Sequence, residues 1–480
     1  MRPPVKLHHA IPGLLALTLA GCAVGPNFQR PAPPKVDSFA PPAAAKAQSA
    51  DAQRIVQGMD IPGQWWTLFH SEALDAIVRQ ALANNADVAA AEAALRQSRE
   101  LLYAQRGALL PTVGLDLNAT RARNSATIAP PLADNSSIYS LYTAQVSVSY
   151  APDVFGGIRR QIEAAAARAE AQKFQTEAAY LALTSNVVQA ALLESSLREQ
   201  IAATREIIAA ETRLLDLMRK QHDAGQISGA DVAAQQTALA QAQQSLPPLE
   251  KQLAQQQDLL AVLGGRFPAE GPGRTFEISD LTLPHDVPVG LPSALVERRP
   301  DIRAAEANLH AASAQVGIAA AARLPNITLT ASGGSIAGDL AGLASSPNLF
   351  WTLAGGVTQP IFQGGALAHQ QKAAQAGYDQ ARAQYRSTVL QAFQNVADAL
   401  QALRVDDEAL AAATEAERSG ARSLAIAQKQ VQLGEVSAVS VLNAEQAYRQ
   451  ASIALIQARA GRYTDTVALF QALGAGGWPT

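Results

Sequence analysis

The chain has 480 residues, 48% hydrophobic but only 5% aromatic, with a formal net charge of −3 and a pI near 6.2. That balance gives no electrostatic case for nucleic acid. A single cysteine excludes an intramolecular disulfide and any multi-cysteine metal site.

Arg2 and Lys6 precede a mostly apolar run, Ala10–Ala20, the pattern of a secretory signal and too short to span a bilayer. It ends in Leu19-Ala20-Gly21-Cys22, which resembles the bacterial lipoprotein signal. Residues 1–21 are therefore expected to be cleaved and Cys22 acylated, with more than one chain for stable anchoring. In such signals Ala23, standing where an aspartate would retain the protein in the inner membrane, points to the outer membrane. Residues 22–64, rich in proline and alanine, read as an extended tether. Structure is expected from Trp65-Trp66 onward, with helices over Leu74–Leu82 and Ala86–Leu110.

After Pro111 the period changes from 3.6 to 2. Val113, Leu115 and Leu117 alternate with polar residues, as do Tyr142, Ala144, Val146, Val148 and Tyr150. This predicts a β-hairpin over 112–151, around a polar loop near Arg123–Ser140. From Ile158 to Ala224 there is no proline or glycine, which makes a helix of roughly 100 Å. Tyr180, Val187, Ile201, Ile208 and Leu215 form a seven-residue seam, broken at Glu194. Gly225-Gln-Ile-Ser-Gly229 reads as a turn, and a second helix returns from Ala230 to Leu263, closing a helical hairpin over 158–263.

The plan then recurs. Asn84–Leu95 matches Arg298–Leu309, Gly225-Gln-Ile-Ser matches Gly434-Glu-Val-Ser, and Pro152…Gly157 matches Pro360…Gly365. Val389, Val396, Leu403, Leu410, Leu424 and Val431 repeat the seam, broken at Glu417. The period of about 200 residues is far longer than that of solenoids. It divides the chain into a first repeat, 65–265, a linker, 266–290, a second repeat, 291–474, and a tail, 475–480. The second repeat carries strands over 326–359 and a helical hairpin over 366–473.

Each strand is about ten residues, apolar on one face, with tyrosine, tryptophan or phenylalanine near its ends, as transmembrane barrels require. A soluble sheet with one wet face fits any single strand equally well. Four strands cannot close around a lumen, since small barrels need about eight. A barrel would therefore be shared between chains.

No phosphate loop, HExxH or GxSxG motif occurs. Glu297 and Asp301, around Arg298-Arg299, read as capping and local salt bridging at a helix start. The chain is expected not to be an enzyme and to need no cofactor or metal.

Cys22-Ala-Val-Gly-Pro-Asn-Phe-Gln-Arg-Pro31, Trp65-Trp66, Leu291-Pro-Ser-Ala-Leu-Val-Glu-Arg-Arg-Pro-Asp-Ile302, Ala304-Ala305-Glu306 and Ala472-Leu-Gly-Ala-Gly-Gly-Trp478 resemble the TolC superfamily of outer-membrane factors, in its lipoprotein branch. The resemblance implies an α+β membrane protein: a homotrimer with a 12-stranded β-barrel continued by a 12-helix tunnel in the periplasm. It implies the passive exit duct of a tripartite efflux pump for small molecules, with a periplasmic adaptor (membrane fusion protein), an inner-membrane transporter of the RND type and outer-membrane lipids as partners. Export of proteins through a type I system, or a non-channel periplasmic coiled-coil lipoprotein, are the rival readings. The family's hairpin tips meet the adaptor, which places docking on Gly225, Ile227, Ser228, Gly434, Val436 and Ser437. The alternative is that these residues only turn the chain and cap the next helix. The family's gate aspartates fall on Ser440 and Asn443, with Val439 at an apolar constriction and Gln446 one turn on. A gate here would thus be uncharged, unless Glu435 or Asp231 supplies a carboxylate.

Overall fold

The structure is a computed structural model that describes residues 23–36, 38–39, 53–58, 61–123, 125, 138–289, 292–436 and 438–475. The expected signal peptide, Cys22, Ser437 and residues 476–480 of the closing tail lie outside the described residues. The chain divides into two compact units. Unit 1 comprises residues 1–30, 95–172 and 305–385, and unit 2 comprises 31–94, 173–304 and 386–480.

Element order follows the duplication. A short strand β1 (Arg54–Gln57) precedes a 3-10 turn (Trp65–Phe69), α1 (Glu72–Asn84), α2 (Ala86–Gly107), β2 (Thr112–Arg123) and β3 (Ile138–Tyr150). Two long helices follow, α3 (Gly157–Asp223) and α4 (Gly229–Leu263). The second half runs β4 (Asp286–Val289), α5 (Pro292–Arg298), α6 (Pro300–Ala321), β5 (Asn326–Ala337), β6 (Leu349–Thr358), α7 (Ala366–Gln432) and α8 (Ala438–Ala472). The first long helices of the two hairpins are both 67 residues and their return helices both 35. The repeat has therefore kept its length as well as its motifs.

In unit 1 the four long strands form one antiparallel sheet in the order β2-β3-β5-β6. Its register brings the apolar alternation of each strand into one face: Leu115 opposite Val146, Val146 opposite Gly333, Gly333 opposite Trp351. The next row is Val113, Val148, Ala331 and Leu353. Side-chain alternation makes such a register all or nothing, because a one-residue slip sends the whole apolar set to the other face. No described residue covers this face: Leu115 is 69% exposed, Trp351 81% and Leu353 74%. On the opposite face Ser147 donates to Asp116 at 3.1 Å. Strands β2 and β6 end the sheet with unpaired edges.

Unit 2 contains the coiled-coil halves of both hairpins and a compact aromatic knot. Trp65 and Phe69 are fully buried; Trp65 lies 5.6 Å from Phe470 and Phe69 lies 5.8 Å from Tyr463 of α8. Trp66 Nε1 donates to Asp75 at 3.0 Å. The predicted seams hold: Val187, Ile201 and Leu215 are buried on α3, as are Val389, Val396 and Leu403 on α7. Glu194, the break in the first seam, is buried but answered by Arg198 at 3.0 Å and by Gln257 at 3.3 Å. Arg299, between the two acids of the second repeat, pairs with Asp301 at 2.6 Å and donates to the Ala472 carbonyl at 2.8 Å. The local salt bridge expected at that helix start is there.

One feature differs from the sequence expectation. The tether and the inter-repeat linker each contribute a four-residue strand, and β1 pairs with β4 in parallel, Arg54 to Asp286 through Gln57 to Val289. Strands this short show no alternation, and the pairing joins residues more than 200 positions apart, so the pattern carries no sign of it. The return helix α4 spans the stretch expected and runs through Pro247-Pro248 without a break, although each proline removes a hydrogen bond. Both prolines are exposed, so the carbonyls left without a partner face water.

Candidate functional site at the hairpin tips

The two tips share one backbone solution. Gly225 and Gly434 both have φ of +74°, the left-handed region that glycine enters without steric cost. At the first tip Gly225 N donates to the His222 carbonyl and Gln226 N to the Gln221 carbonyl, both at 2.8 Å. At the second, Gly434 N donates to Val431 at 3.0 Å and Glu435 N to Gln430 at 2.9 Å. These paired bonds close the helix ends in the Schellman pattern. A Cβ on either glycine would meet no atom within 4 Å, so both glycines sit at open surface.

The side chains differ. Ser228 Oγ accepts from Asp231 N at 3.3 Å and donates to Asp231 Oδ2 at 2.8 Å, while Ser228 N donates to the same carboxylate at 3.1 Å. This is a capping box with an aspartate at its third position. His222 Nδ1 lies 3.1 Å from the Ile227 carbonyl. Asp231 is therefore engaged in capping α4. In the second tip Val431 stands in place of His222 and Ser440 in place of Asp231, and Leu433 is 65% exposed. Ile227 and Val436 are both half-buried beside their glycines.

On α8 the candidate gate residues separate by face. Val439, Asn443 and Gln446 are exposed and Ser440 is half-buried, whereas Val441, Ala444 and Glu445 are buried. Spacings of four and three residues place the exposed trio on one side of the helix. The buried side packs into the second hairpin and onto the first: Val441 and Ala444 form an apolar cluster with Ala427, Leu214, Leu424 and Val431.

One helical turn further from the tip is a buried polar network that sequence reading missed. Glu211 of α3, fully buried, pairs with Arg449 of α8 at 2.5 Å. Gln235 of α4, also fully buried, donates to the Glu211 carboxylate and, at 3.1 Å, to its carbonyl. Glu445 lies beside them, and burial first, then the Glu211 charge, pushes its carboxyl above the usual range. The network joins α3, α4 and α8 directly behind the exposed trio. A signal did exist: Leu197, Thr204, Glu211 and Met218 step by seven and are all buried, so Glu211 occupies a seam position.

A sheet with an uncovered apolar face is thus joined in sequence to long helical hairpins with exposed tips. The chain belongs to the outer membrane efflux protein family, whose model matches residues 77–266 and 291–475, one stretch in each repeat. It is 32% identical over 474 residues to the pyoverdine export outer membrane protein OpmQ of Pseudomonas putida, covering 97% of this chain and 96% of that one. It is 30% identical over 465 residues to the toluene efflux pump outer membrane protein TtgC of Pseudomonas putida, covering 96% and 94%. The solved structure of the outer-membrane channel OprN superposes with a TM-score of 0.86 at 26% identity, over 95% of this chain and 100% of that one. The protein is thus an outer-membrane efflux protein of the TolC superfamily, as its motifs led one to expect.

Proposed function

We propose that three copies of the chain close their four-stranded sheets into one 12-stranded barrel, and that the helical hairpins continue it as a 12-helix periplasmic tunnel. The observation that carries this reading is the apolar sheet face. An uncovered face of this size is unusual on a water-soluble protein, and two open edges are otherwise a liability for aggregation. Lipid covers the face, and neighbouring copies pair the edges. The protein is then the passive exit duct of a tripartite pump, supplied through a periplasmic adaptor by an RND-type transporter and held in the outer membrane additionally by acylated Cys22. Similar relatives are named for cargoes as different as pyoverdine and toluene, which supports small molecules as the class. The test is direct. Purified protein should run as a heat-modifiable trimer and give discrete ion conductance in planar bilayers; a monomer without conductance overturns the reading.

The tips, with Gly225, Ile227, Ser228, Gly434, Val436 and Ser437, are the adaptor-docking surface in this reading. Val439, Ser440, Asn443 and Gln446 narrow the tunnel as uncharged rings. An aspartate ring repels itself and draws cations; an asparagine ring does neither. Closed-state conductance is expected to vary little between pH about 4 and 7, where perturbed carboxylates commonly titrate, and polyvalent cations should block poorly. Asn443→Asp should create both sensitivities. Strong trivalent block of the wild type that survives Asn443→Ala but not Glu435→Gln would move the constriction to the tip.

A further inference from the structure

The residues that follow the expected anchor do not hang free of unit 1. Ala23 lies against Gly156 so closely that a Cβ there would come 2.6 Å from the Ala23 Cα. Val24 N donates to the Phe155 carbonyl at 3.1 Å. Arg160, 4% exposed, donates to the Val24 carbonyl at 3.1 Å, the Gly25 carbonyl at 3.3 Å and Asn27 Oδ1 at 2.8 Å, while its remaining nitrogen holds Glu163 at 2.7 Å. Gly25 has φ of +95°, and a Cβ on it would fall 2.4 Å from the Gly317 Cα. Phe28 stacks on His310 with centroids 4.4 Å apart, and His310 Nε2 lies 2.9 Å from Glu163. Arg30 pairs with Glu306 at 2.8 Å.

Apart from Phe155 and Gly156 at the junction before α3, these receptors fall on two helices. Arg160 and Glu163 open α3, and Glu306, His310 and Gly317 form a stripe along α6. These are the helices that continue β3 and lead into β5. The β3–β5 pairing, Tyr142 to Ala337 through Tyr150 to Leu329, is what joins the two repeats' hairpins into one sheet. In the second repeat no described residue covers the equivalent junction, Pro360–Gly365: Ile361 is 89% exposed and Phe362 87%. The turn chemistry itself therefore does not require a covering segment.

We propose that residues Val24–Arg30 are a strap that fastens the start of α3 to α6 and so sets the register of β3 against β5. Undocked, Arg160 would keep only Glu163 among these acceptors inside a buried site, and α3 and α6 would lose the peptide that bridges them. A one-residue slip of β3 on β5 would turn half of the apolar face inward. The proposal goes beyond anchoring: the strap's sequence matters, whatever is attached to residue 22.

The experiment replaces residues 24–30 with a glycine-serine segment of equal length, beside Gly25→Val and Phe28→Ala, which remove no contact within the body of the unit. Expected are wild-type palmitate labelling, at least tenfold fewer heat-modifiable trimers, and faster hydrogen exchange over 157–163 and 305–317 in the protein that remains. Arg160→Ala should do the same, but a folding defect there is not decisive, so the strap-side variants carry the test. Wild-type trimers and wild-type exchange overturn the proposal. Trimer loss that comes together with loss of the palmitate label also overturns it, since the defect then lies in lipoprotein processing. Were the wild type itself not trimeric, the barrel reading would fall, while the exchange measurement would still decide the strap.

Discussion

The two helical hairpins are copies in backbone and not in polar interior. Both tips close with a glycine at φ of +74°; at the first, Ser228 and Asp231 form a capping box and His222 lies on the Ile227 carbonyl, where the second carries Ser440 and Val431 in place of Asp231 and His222. Deeper in, the first hairpin's buried charge is balanced, with Glu194 answered by Arg198. At the matching level of the second, three carboxylates surround one guanidinium. Arg462, 3% exposed, pairs with Asp407 at 2.9 Å and donates to the Leu403 carbonyl. Asp406 shares a hydrogen bond with Asp465, and burial first, then that neighbour, pushes Asp406 up to about 7. Backbone geometry survived duplication because it needs only glycine at one position and apolar residues every seventh. The polar interior was free to diverge wherever each new charge could find a partner or a proton.

The comparison can be broken first at the tips. Replacing Gly434 by tryptophan should abolish efflux, read as drug susceptibility equal to a deletion strain, with trimers and surface level unchanged. Open space around the glycine limits the folding penalty to backbone strain of about 1–3 kcal/mol. Loss of trimers would return the motif to turn chemistry alone.

Arg449→Met tests whether the two hairpins depend on one buried pair. It strands the fully buried Glu211 carboxylate, and breaking such a pair costs about 3–5 kcal/mol. The cost should appear as a large drop in the melting temperature of the detergent-solubilised protein. The double variant Glu211→Gln/Arg449→Met should recover much of it, and no recovery would mean that the pair is not the source.

Proton dependence separates the hairpins more gently. The folded pKa of Asp406 lies above its ordinary value of 3.8, so the folded state holds the proton more tightly. Its contribution to stability is full below pH about 4 and is lost as pH rises through about 7. Melting temperature should fall over that window, and Asp406→Asn should flatten the fall. An unchanged slope in Asp406→Asn would remove the carboxyl pair as its cause. The smallest effect expected is that of Ser228→Ala, about 1 kcal/mol for loss of an N-cap, and Asp231→Ala, which removes the other half of the capping box, is compared with Ser440→Ala, for which no loss is expected. Equal effects would show that the tips are stabilised alike.

Much of this architecture was written in local pattern. The seams, the glycine turns, the four strands and the duplication are periodicities or backbone requirements that one residue type satisfies, and each appears in the structure where its period placed it. Glu194 registered only as an interruption and Glu211 and Asp407 not at all, because a periodic pattern says that a position is buried and not what answers its charge. Arg198, Arg449 and Arg462 supply answers from one turn away or from another helix, and only tertiary packing brings the latter two to their partners. The same limit hid the β1–β4 pairing and the strap. Residues 24–30 are read correctly as extended and proline-flanked, but their binding to Arg160 and His310 depends on residues more than 130 and 280 positions away. By itself the sequence determined the repeat, the helices, the strands and the face each strand keeps apolar, since these follow from periods of 3.5 and 2. Tertiary structure alone decided which buried charges are paired and which segment fastens which helices, because those choices rest on distances between residues that no period connects.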